Sequence, residues 1–552
     1  MLNLPQDGSY ALHWAPAVAL LSLALIVGRL IYNLYLHPLS HIPGPFWARA
    51  SCVPNWLHAR SGKRHIWLWR QFERHGNRIR VTPGTVLFRD PAAYPEIYGT
   101  KANVRRSHFY TAFKRAKGED NTLNSIDVAE HAYRRRVLQT CFTERSVRAA
   151  SGFIVKHVDR WNEILALSTE ENDSSRDSEK GWSAPIDMSE SIDTLVFDIM
   201  GDLAFGRSFD IKEPGGDNPL KVIPHTIAQY MQFYYPLCRS PFLHLLIWLK
   251  PRGLDRLFLM ITPPAVLQYN DFVYKSVSNR TKLHREQAEK PEGHPKDQRM
   301  DMFHFLCEAR DPDTGRIAYD ENNLRAESSL LIVAGSDTTS TALSGIFFYL
   351  TGDPPRLAKL TAEIRTTFDS ADDIVHGPKL LGCRYLAACI DEGMRLAPPG
   401  PSELPREVLP GGLTVRGEYY PPGTIVGTVP WADSRNEAVY DGDATVFRPE
   451  RWIVDEESGV TADSVARRRA NFHPFTTGPL NCVGKNLAMT EIMITVARTL
   501  HRLDIRRAPG STMGGGRAEF GWGATDEKQL QLVDAYIALR RGPEVQFRRR
   551  AS

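Results

Sequence analysis

The sequence predicts a mainly α protein: a large helical body with one long central helix and a small β-sheet region, behind an N-terminal transmembrane helix. Three observations carry that prediction. Residues 17–36 are apolar with one formal charge, the segment from Glu321 to Leu350 keeps helical periodicity throughout, and short strand-like pieces cluster at Arg78 to Phe88 and Leu413 to Val429.

The first element reads AVALLSLALIVGRLIYNLYL. About twenty such residues match the hydrocarbon thickness of a bilayer. Its single charge, Arg29, lies toward the C-terminal end, where a long side chain reaches the interface at modest cost. No basic stretch precedes the run and no small-residue cleavage site follows it, which favours an anchor over a cleaved signal. Arg29, Arg49, Arg60, Lys63 and Arg64 lie in or after the span and Asp7 before it, so the bulk of the chain is expected in the cytosol. The stretch His37 to Pro45 holds three prolines and reads as a stiff hinge. The expected division is an anchor at 1–36, a Pro-rich hinge at 37–50 and a single domain at 51–552. A second apolar region, Pro241 to Leu249 with Leu257 to Val266 beyond it, is too short and interrupted to span. Core packing and a patch dipping into the bilayer fit it equally.

Next comes the body. The 552 residues are 42% hydrophobic and 24% charged, which suits a folded protein with a sizeable core. A net charge of +4 on this length excludes the footprint of a nucleic-acid binder. Polar stretches at Ser168 to Ser183, Lys290 to Arg299 and Pro509 to Arg517 read as surface loops that mark no domain boundary. The seven cysteines are odd in number and scattered without a CxxC pair, so a disulfide framework is not expected and one thiol is free to act as a ligand. The long helix is closed by Gly352 and Pro354-Pro355. Within it Ala334-Gly335-Ser336-Asp337-Thr338-Thr339 interrupts an apolar run with a carboxylate and hydroxyls. A buried carboxylate is costly without a task. Small polar groups of this kind relay protons, although the same tract could be a solvent-facing stripe.

The segment from Phe475 to Glu491 sets Cys482 between Gly478 and Gly484, just ahead of a helix. Glycine lets the backbone turn sharply and approach a flat ligand closely. A helix N-terminus lowers the energy of a thiolate, and a thiolate on haem iron donates electron density that favours O–O cleavage. Taken alone, a Gly-flanked cysteine is more often an inert core thiol.

The spacing F-x-x-G-x-x-x-C-x-G before a helix resembles the haem-binding loop of the cytochrome P-450 family. The resemblance runs from about Pro38 to Ile505. It extends to A-G-x-D-T-T at Ala334 to Thr339, to E-x-x-R at Glu392 and Arg395, and to F-x-P-x-R-W at Phe447 to Trp452. His131 and Arg135, spaced i, i+4, are similar to the family's propionate-binding motif, and Arg406 to its β-strand arginine. One departure stands out: the family usually has Arg or His two residues before the cysteine, and this chain has Leu480.

The resemblance implies the P-450 fold and haem b with Cys482 as axial ligand in the Phe475, Gly478 and Gly484 loop. It implies propionate contacts from His131, Arg135 and Arg406, and proton delivery by Asp337 and Thr338. Glu392, Arg395 and Arg451 would form a structural network. The implied reaction inserts one oxygen atom from O2 into a lipophilic molecule. Electrons come from NADPH through a separate cytochrome reductase that docks on cationic residues such as Arg134, Arg136 and Lys485. YLHPLSHIPGP and Asp198 to Gly206 look like fungal microsomal members, which implies the endoplasmic reticulum membrane and a secondary-metabolite substrate, terpenoid or polyketide. A reductase-independent haem-thiolate isomerase or dehydratase, and a membrane-tethered helical adaptor, are the alternatives.

Overall fold

The computed structural model describes residues 9–114, 120–173, 181–288, 300–311 and 313–550. The long helix forms at Glu321–Thr351. Asp320 caps it, its side chain accepting from Asn323 N at 2.8 Å. Gly352 and the two prolines beyond it end it, as expected. Every residue from Thr339 to Thr351 is buried, so this helix is the axis of the core and not a second membrane span. Helix Met188–Phe205 packs along it, and helix Arg384–Leu396 crosses it at two glycines. A Cβ on Gly345 would stand 2.6 Å from Ala397 Cβ, and one on Gly393 2.6 Å from Ile346 Cγ1. That crossing therefore depends on both glycines.

The five-stranded sheet has the spatial order Arg78–Thr82, Thr85–Phe88, Ile425–Thr428, Arg406–Val408, Val104–Arg106. Only the Thr85–Phe88 pairing with Ile425–Thr428 is parallel. Its outer register sets Arg106 opposite Arg406, two arginines 300 residues apart in sequence. All seven cysteines are free.

The N-terminal apolar helix runs Ser9–Ile31 and ends in a π-turn at Tyr32–Leu36. Val18, Leu20, Leu21, Leu23, Leu25 and Ile26 are all more than half exposed, which leaves this helix a candidate membrane anchor. The Pro-rich segment after it is packed into the globule. Leu39 and Ile42 are buried against Val86, Phe88 and Val426, each worth about 1.5–3 kcal/mol. Arg80 N donates to Pro43 O at 2.7 Å, and Arg80 Nη1 to Asn33 O at 2.9 Å. Asn33 Nδ2 donates to Ala50 O at 2.7 Å. The stiffness expected from proline thus has burial behind it. Arg64, counted above among the flanking charges, is fully buried and paired with Glu403, so it offers the membrane no free charge.

Of the expected loops, residues 168–173 continue helix Glu144–Asp173 instead, while 174–180 and 290–299 lie outside the described residues. The second apolar region forms helices Leu243–Leu249 and Leu254–Ile261. Phe242, Leu245, Trp248, Leu257 and Met260 point outward, with Met260 82% exposed, so core packing does not account for them.

Candidate functional site

The loop around Cys482 is built by its glycines. Gly478 has φ +71°, and a Cβ there would meet Tyr98 O at 2.1 Å, so no other residue fits. A 3-10 turn at Gly478–Leu480 follows, and Cys482 N donates to Phe475 O at 2.9 Å. Gly484 is the N-cap of helix Lys485–Arg502. Its φ is negative, and a Cβ would stand 3.9 Å from Cys482 Sγ with no protein clash, so this glycine keeps space open beside the sulfur. Cys482 is the one exposed cysteine of the seven. Burial of its surroundings nevertheless raises the thiol pKa, offset in part by the N–H groups of Gly484 and Lys485 and by the charge of Arg135.

A second opening interrupts the long helix. Ala334 is exposed although Leu331, Ile332, Ser336 and Thr339 around it are buried. Thr338 Oγ1 donates back to Ala334 O at 2.7 Å, and Thr341 Oγ1 to Asp337 O at 2.9 Å. These side-chain bonds compete with the helical ladder beside the open alanine. Burial, with the Asp193 carboxylate adding to it, pushes Asp337 up to about 7, and Arg540 partly offsets the shift. Arg540 Nη2 in turn donates to Asp193 Oδ1 at 2.5 Å and its Nε to Ser344 Oγ at 3.0 Å. Acidic and hydroxyl groups therefore continue from Asp337 toward the part-exposed Asp193.

The expected propionate contacts come together as a cationic cluster that includes Arg106, which the sequence reading missed. Arg106 Nη1 donates to Thr122 O, to Leu123 O at 3.1 Å, and to His131 Nδ1 at 3.1 Å. His131 Nδ1 also lies 3.0 Å from Thr122 O, so it meets a donor in Arg106 and an acceptor in that carbonyl, and these contacts fix no ring tautomer. The His131 Nε2 is buried and has no partner among the described residues. Burial first, then Arg106, lowers His131 to about 3, so the ring is neutral. Arg406 is buried, with Nη1 3.4 Å from Tyr110 Oη and its guanidinium over the Tyr98 ring. Burial lowers Arg106 to about 10, and the charges of Arg406 and Arg135 add to the shift. Among the described residues none of these three arginines pairs with a carboxylate. Buried cations without an anion are costly, and a donor set of this kind suits a ligand bearing carboxylates. Arg135, expected in the same role, donates to Asn481 O at 2.7 Å and Asn481 Oδ1 at 2.6 Å through its two terminal nitrogens, while its buried Nε has no partner among the described residues. Leu480 is half-buried and contributes no charge.

Glu392, Arg395 and Arg451 meet in the core, all essentially unexposed. Arg395 Nε and Nη2 each donate to Glu392 at 2.8 Å, and Arg451 Nε donates to Glu392 Oε1 at 3.0 Å. Trp452 Nε1 and Arg448 N donate to the same carboxylate at 2.9 Å each. Arg395 also reaches Ala444 O and Val446 O, and Arg451 reaches Asp443 Oδ1, so the carboxylate ties helix Arg384–Leu396 to the segment 443–452. Arg469, in the same part of the chain, pairs with the neighbouring Asp391.

The sequence matches the family model described as Cytochrome P450 over residues 43–514. It is 32% identical to the cytochrome P450 monooxygenase fscF of Fusarium equiseti over 98% of both chains. It is 32% identical to the cytochrome P450 monooxygenase poxM of Penicillium oxalicum over 97% of this chain and 94% of that one. The fold is shared with a crystal structure of a cytochrome P450, CYP102L1, at a TM-score of 0.65 and 18% identity, covering 88% of this chain and 94% of that one. These matches set aside the non-enzymatic adaptor. The chain belongs to the cytochrome P450 family, oxygen-incorporating oxidoreductases that carry haem on a cysteine thiolate.

Proposed function

We propose that the chain is a membrane-anchored monooxygenase in which Cys482 holds the haem iron. The observation that carries this reading is the sulfur itself: one open cysteine, in a glycine-built loop, at a helix N-terminus. Arg106, Arg406, the unpartnered Nε of Arg135 and the unpartnered His131 Nε2 would take the propionates. The haem supplies binding and reductive activation of O2. Asp337 and Thr338 hold the protons that the reduction consumes, with Asp193 and Arg540 linking them outward. Glu392, Arg395 and Arg451 hold the segment that leads to the cysteine loop. Residues 1–36 act as anchor, 37–50 as a connection fixed to the sheet, and 51–552 as one catalytic domain.

The reaction is insertion of one oxygen atom into a lipophilic secondary metabolite, terpenoid or polyketide, with electrons from NADPH through a separate cytochrome reductase. Lys485 and Arg136, the latter 3.6 Å from Asp313, face solvent and can meet an acidic reductase face. Arg134 is less free, because it pairs with Glu130 and donates to Asp120 O and Asn323. Phe109, Tyr110 and Phe113 cluster with Tyr234, Tyr235 and Tyr536, an aromatic wall suited to an apolar substrate. Membranes holding the protein and a reductase, supplied with NADPH, labelled O2 and a panel of lipophilic metabolites, are expected to yield product carrying one labelled oxygen. Product formed without O2 would establish the isomerase or dehydratase reading instead.

Two further outcomes are expected. Asp337→Asn should slow product formation about 10²-fold, the scale of a lost proton donor, while leaving the ferrous carbon monoxide spectrum intact. Since the protonated carboxyl is the donor and its pKa is about 7, wild-type turnover should decline as pH rises through that value, and the variant should lack the decline. Thr338→Ala should raise the NADPH consumed per product.

The protein is read as an endoplasmic reticulum protein with its catalytic domain in the cytosol, the outward apolar side chains around Trp248 and Met260 dipping into the same bilayer. A nitroxide attached at Met260→Cys in the full chain on lipid vesicles should be reached by oxygen more than by a water-soluble nickel chelate. A label at the exposed Tyr419→Cys should show the reverse. Equal accessibility at the two positions would remove the patch from the account.

A further inference from the structure

The family's basic residue two positions before the cysteine is Leu480 here, yet the loop is not left without a cation. Arg135 spends two N–H groups on a single residue, chelating Asn481 through its main-chain carbonyl at 2.7 Å and its side-chain Oδ1 at 2.6 Å. Asn481 is the residue directly before Cys482 and lies in extended backbone. The rest of the loop is held by main-chain bonds, Cys482 N to Phe475 O at 2.9 Å and Asn481 N to Gly478 O at 3.1 Å, with a long contact of 3.5 Å from Thr476 Oγ1 to Leu480 O. Arg135 is therefore the side chain that fastens this loop to helix Val128–Gln139. That helix is itself firmly started, Asp127 accepting from Glu130 N at 2.8 Å. His131, one turn earlier on the same face, turns instead to Arg106. Two residues that form one motif in sequence thus divide their work.

We propose that Arg135 and Asn481 form a clamp on the ligand loop that takes the place of the basic residue absent at position 480, which makes Arg135 a positioning residue for the Cys482 sulfur. The inference rests on the reading of Cys482 as the iron ligand. The planar guanidinium fork is what allows one side chain to hold a carbonyl and an amide oxygen together, and a lysine cannot reproduce it. The clamp also brings a fixed positive charge close to the sulfur. Geometry and charge are separable by substitution.

The test uses the full-length haem-loaded protein and the variants Asn481→Ala, Arg135→Gln, Arg135→Lys and the Arg135→Gln/Asn481→Ala pair. Three quantities are read. They are the rate at which the ferrous carbon monoxide complex loses its thiolate-type Soret band on mild warming, amide hydrogen exchange across residues 476–484, and the haem reduction potential. Asn481→Ala, which leaves the bond from Arg135 to the Asn481 main-chain carbonyl, should speed loss of the band about tenfold, the scale of one charge-assisted hydrogen bond; Arg135→Gln, which removes both bonds, should speed it further, and the pair should be no faster than Arg135→Gln alone. Exchange in the loop should rise in all of them. Arg135→Lys should leave the loop as labile as Arg135→Gln while keeping the wild-type potential, which Arg135→Gln should make more negative. If Asn481→Ala behaves as wild type while Arg135→Gln loses haem, Arg135 serves a propionate alone and the clamp is wrong. Additive effects in the pair would be equally fatal. A wild-type protein with no thiolate-type band would overturn the reading of Cys482, and the exchange measurement would still decide the clamp.

Discussion

Cys482→Ser is expected to remove the red-shifted Soret band of the ferrous carbon monoxide complex and to take turnover below detection, with almost no change in the stability of the haem-free protein. The first expectation follows from the chemistry of the ligand. A serine hydroxyl does not ionise near neutral pH and is a far poorer electron donor than a thiolate, and that donation is what favours O–O cleavage. The second follows from the site. Position 482 is the exposed cysteine, its backbone N–H keeps its bond to Phe475 O whatever the side chain, and the sulfur occupies no tightly packed hole. A substitution of that kind shifts stability by about 0.5 kcal/mol. The buried cysteines should behave in the opposite way. Cys141, Cys238 and Cys389 lie in the core with their thiols pushed up by burial. Exchange to alanine there should cost stability and leave the band in place. Spectra and denaturant unfolding of the four variants separate the two patterns. A Cys482→Ser protein that keeps the band would transfer the ligand role to another side chain.

How far the sequence reveals this molecule depends on how local each signal is. The long helix announces itself because helical periodicity runs unbroken from Glu321 to Leu350 and stops at Gly352 and Pro354-Pro355. The cysteine loop does so because Gly478 must turn sharply and Gly484 must leave space within six residues. Glu392 and Arg451 are less local, but each sits in a short pattern of its own. Arg106 is different. Its place beside His131 and Arg406 is set by strand register across 300 residues, and Arg105-Arg106 in sequence is an ordinary basic pair. Asn481 carries no signal at all until Arg135 is seen to reach it. The Pro-rich stretch is legible only in part. Three prolines suggest a connector, while its two aliphatic side chains, Leu39 and Ile42, decide that it is part of the sheet's core. Arg64 counts as a cytosolic flank charge by position and turns out to lie under Glu403, where Arg239 joins it. Charges count toward topology only when they remain free.

Glu392→Ala should be the most destabilising single change in the protein. It removes one carboxylate that five donor groups share: Arg395 Nε and Nη2, Arg451 Nε, Trp452 Nε1 and Arg448 N. Two guanidinium groups would be left buried, Arg395 without a carboxylate and Arg451 with Asp443 alone. Breaking a buried pair in this way costs about 3–5 kcal/mol, a large share of the roughly 5–15 kcal/mol that holds a domain folded. Burial by itself would raise the Glu392 pKa, but Arg395 and Arg451 more than reverse it, and the folded value lies below the ordinary 4.5. The sign of the pH dependence follows. Stability from this group is fully present above about pH 4.5, and it is lost as pH falls through the lower folded value. Glu491 provides the contrast. It is buried, its Oε1 has no hydrogen-bond partner among the described residues, and burial raises it to about 8. Its contribution is fully present below pH 4.5 and is lost as pH rises from there to about 8. Glu491→Gln should therefore be neutral below pH 4.5 and increasingly stabilising as pH rises to about 8, whereas Glu392→Gln should be harmful at every pH above 4.5. Denaturant unfolding across that range measures both, with haem content as the second readout. A Glu392→Ala protein that keeps its haem and unfolds within about 1 kcal/mol of wild type would show that the arginines find other partners and that the carboxylate is not what holds the segment leading to the cysteine loop.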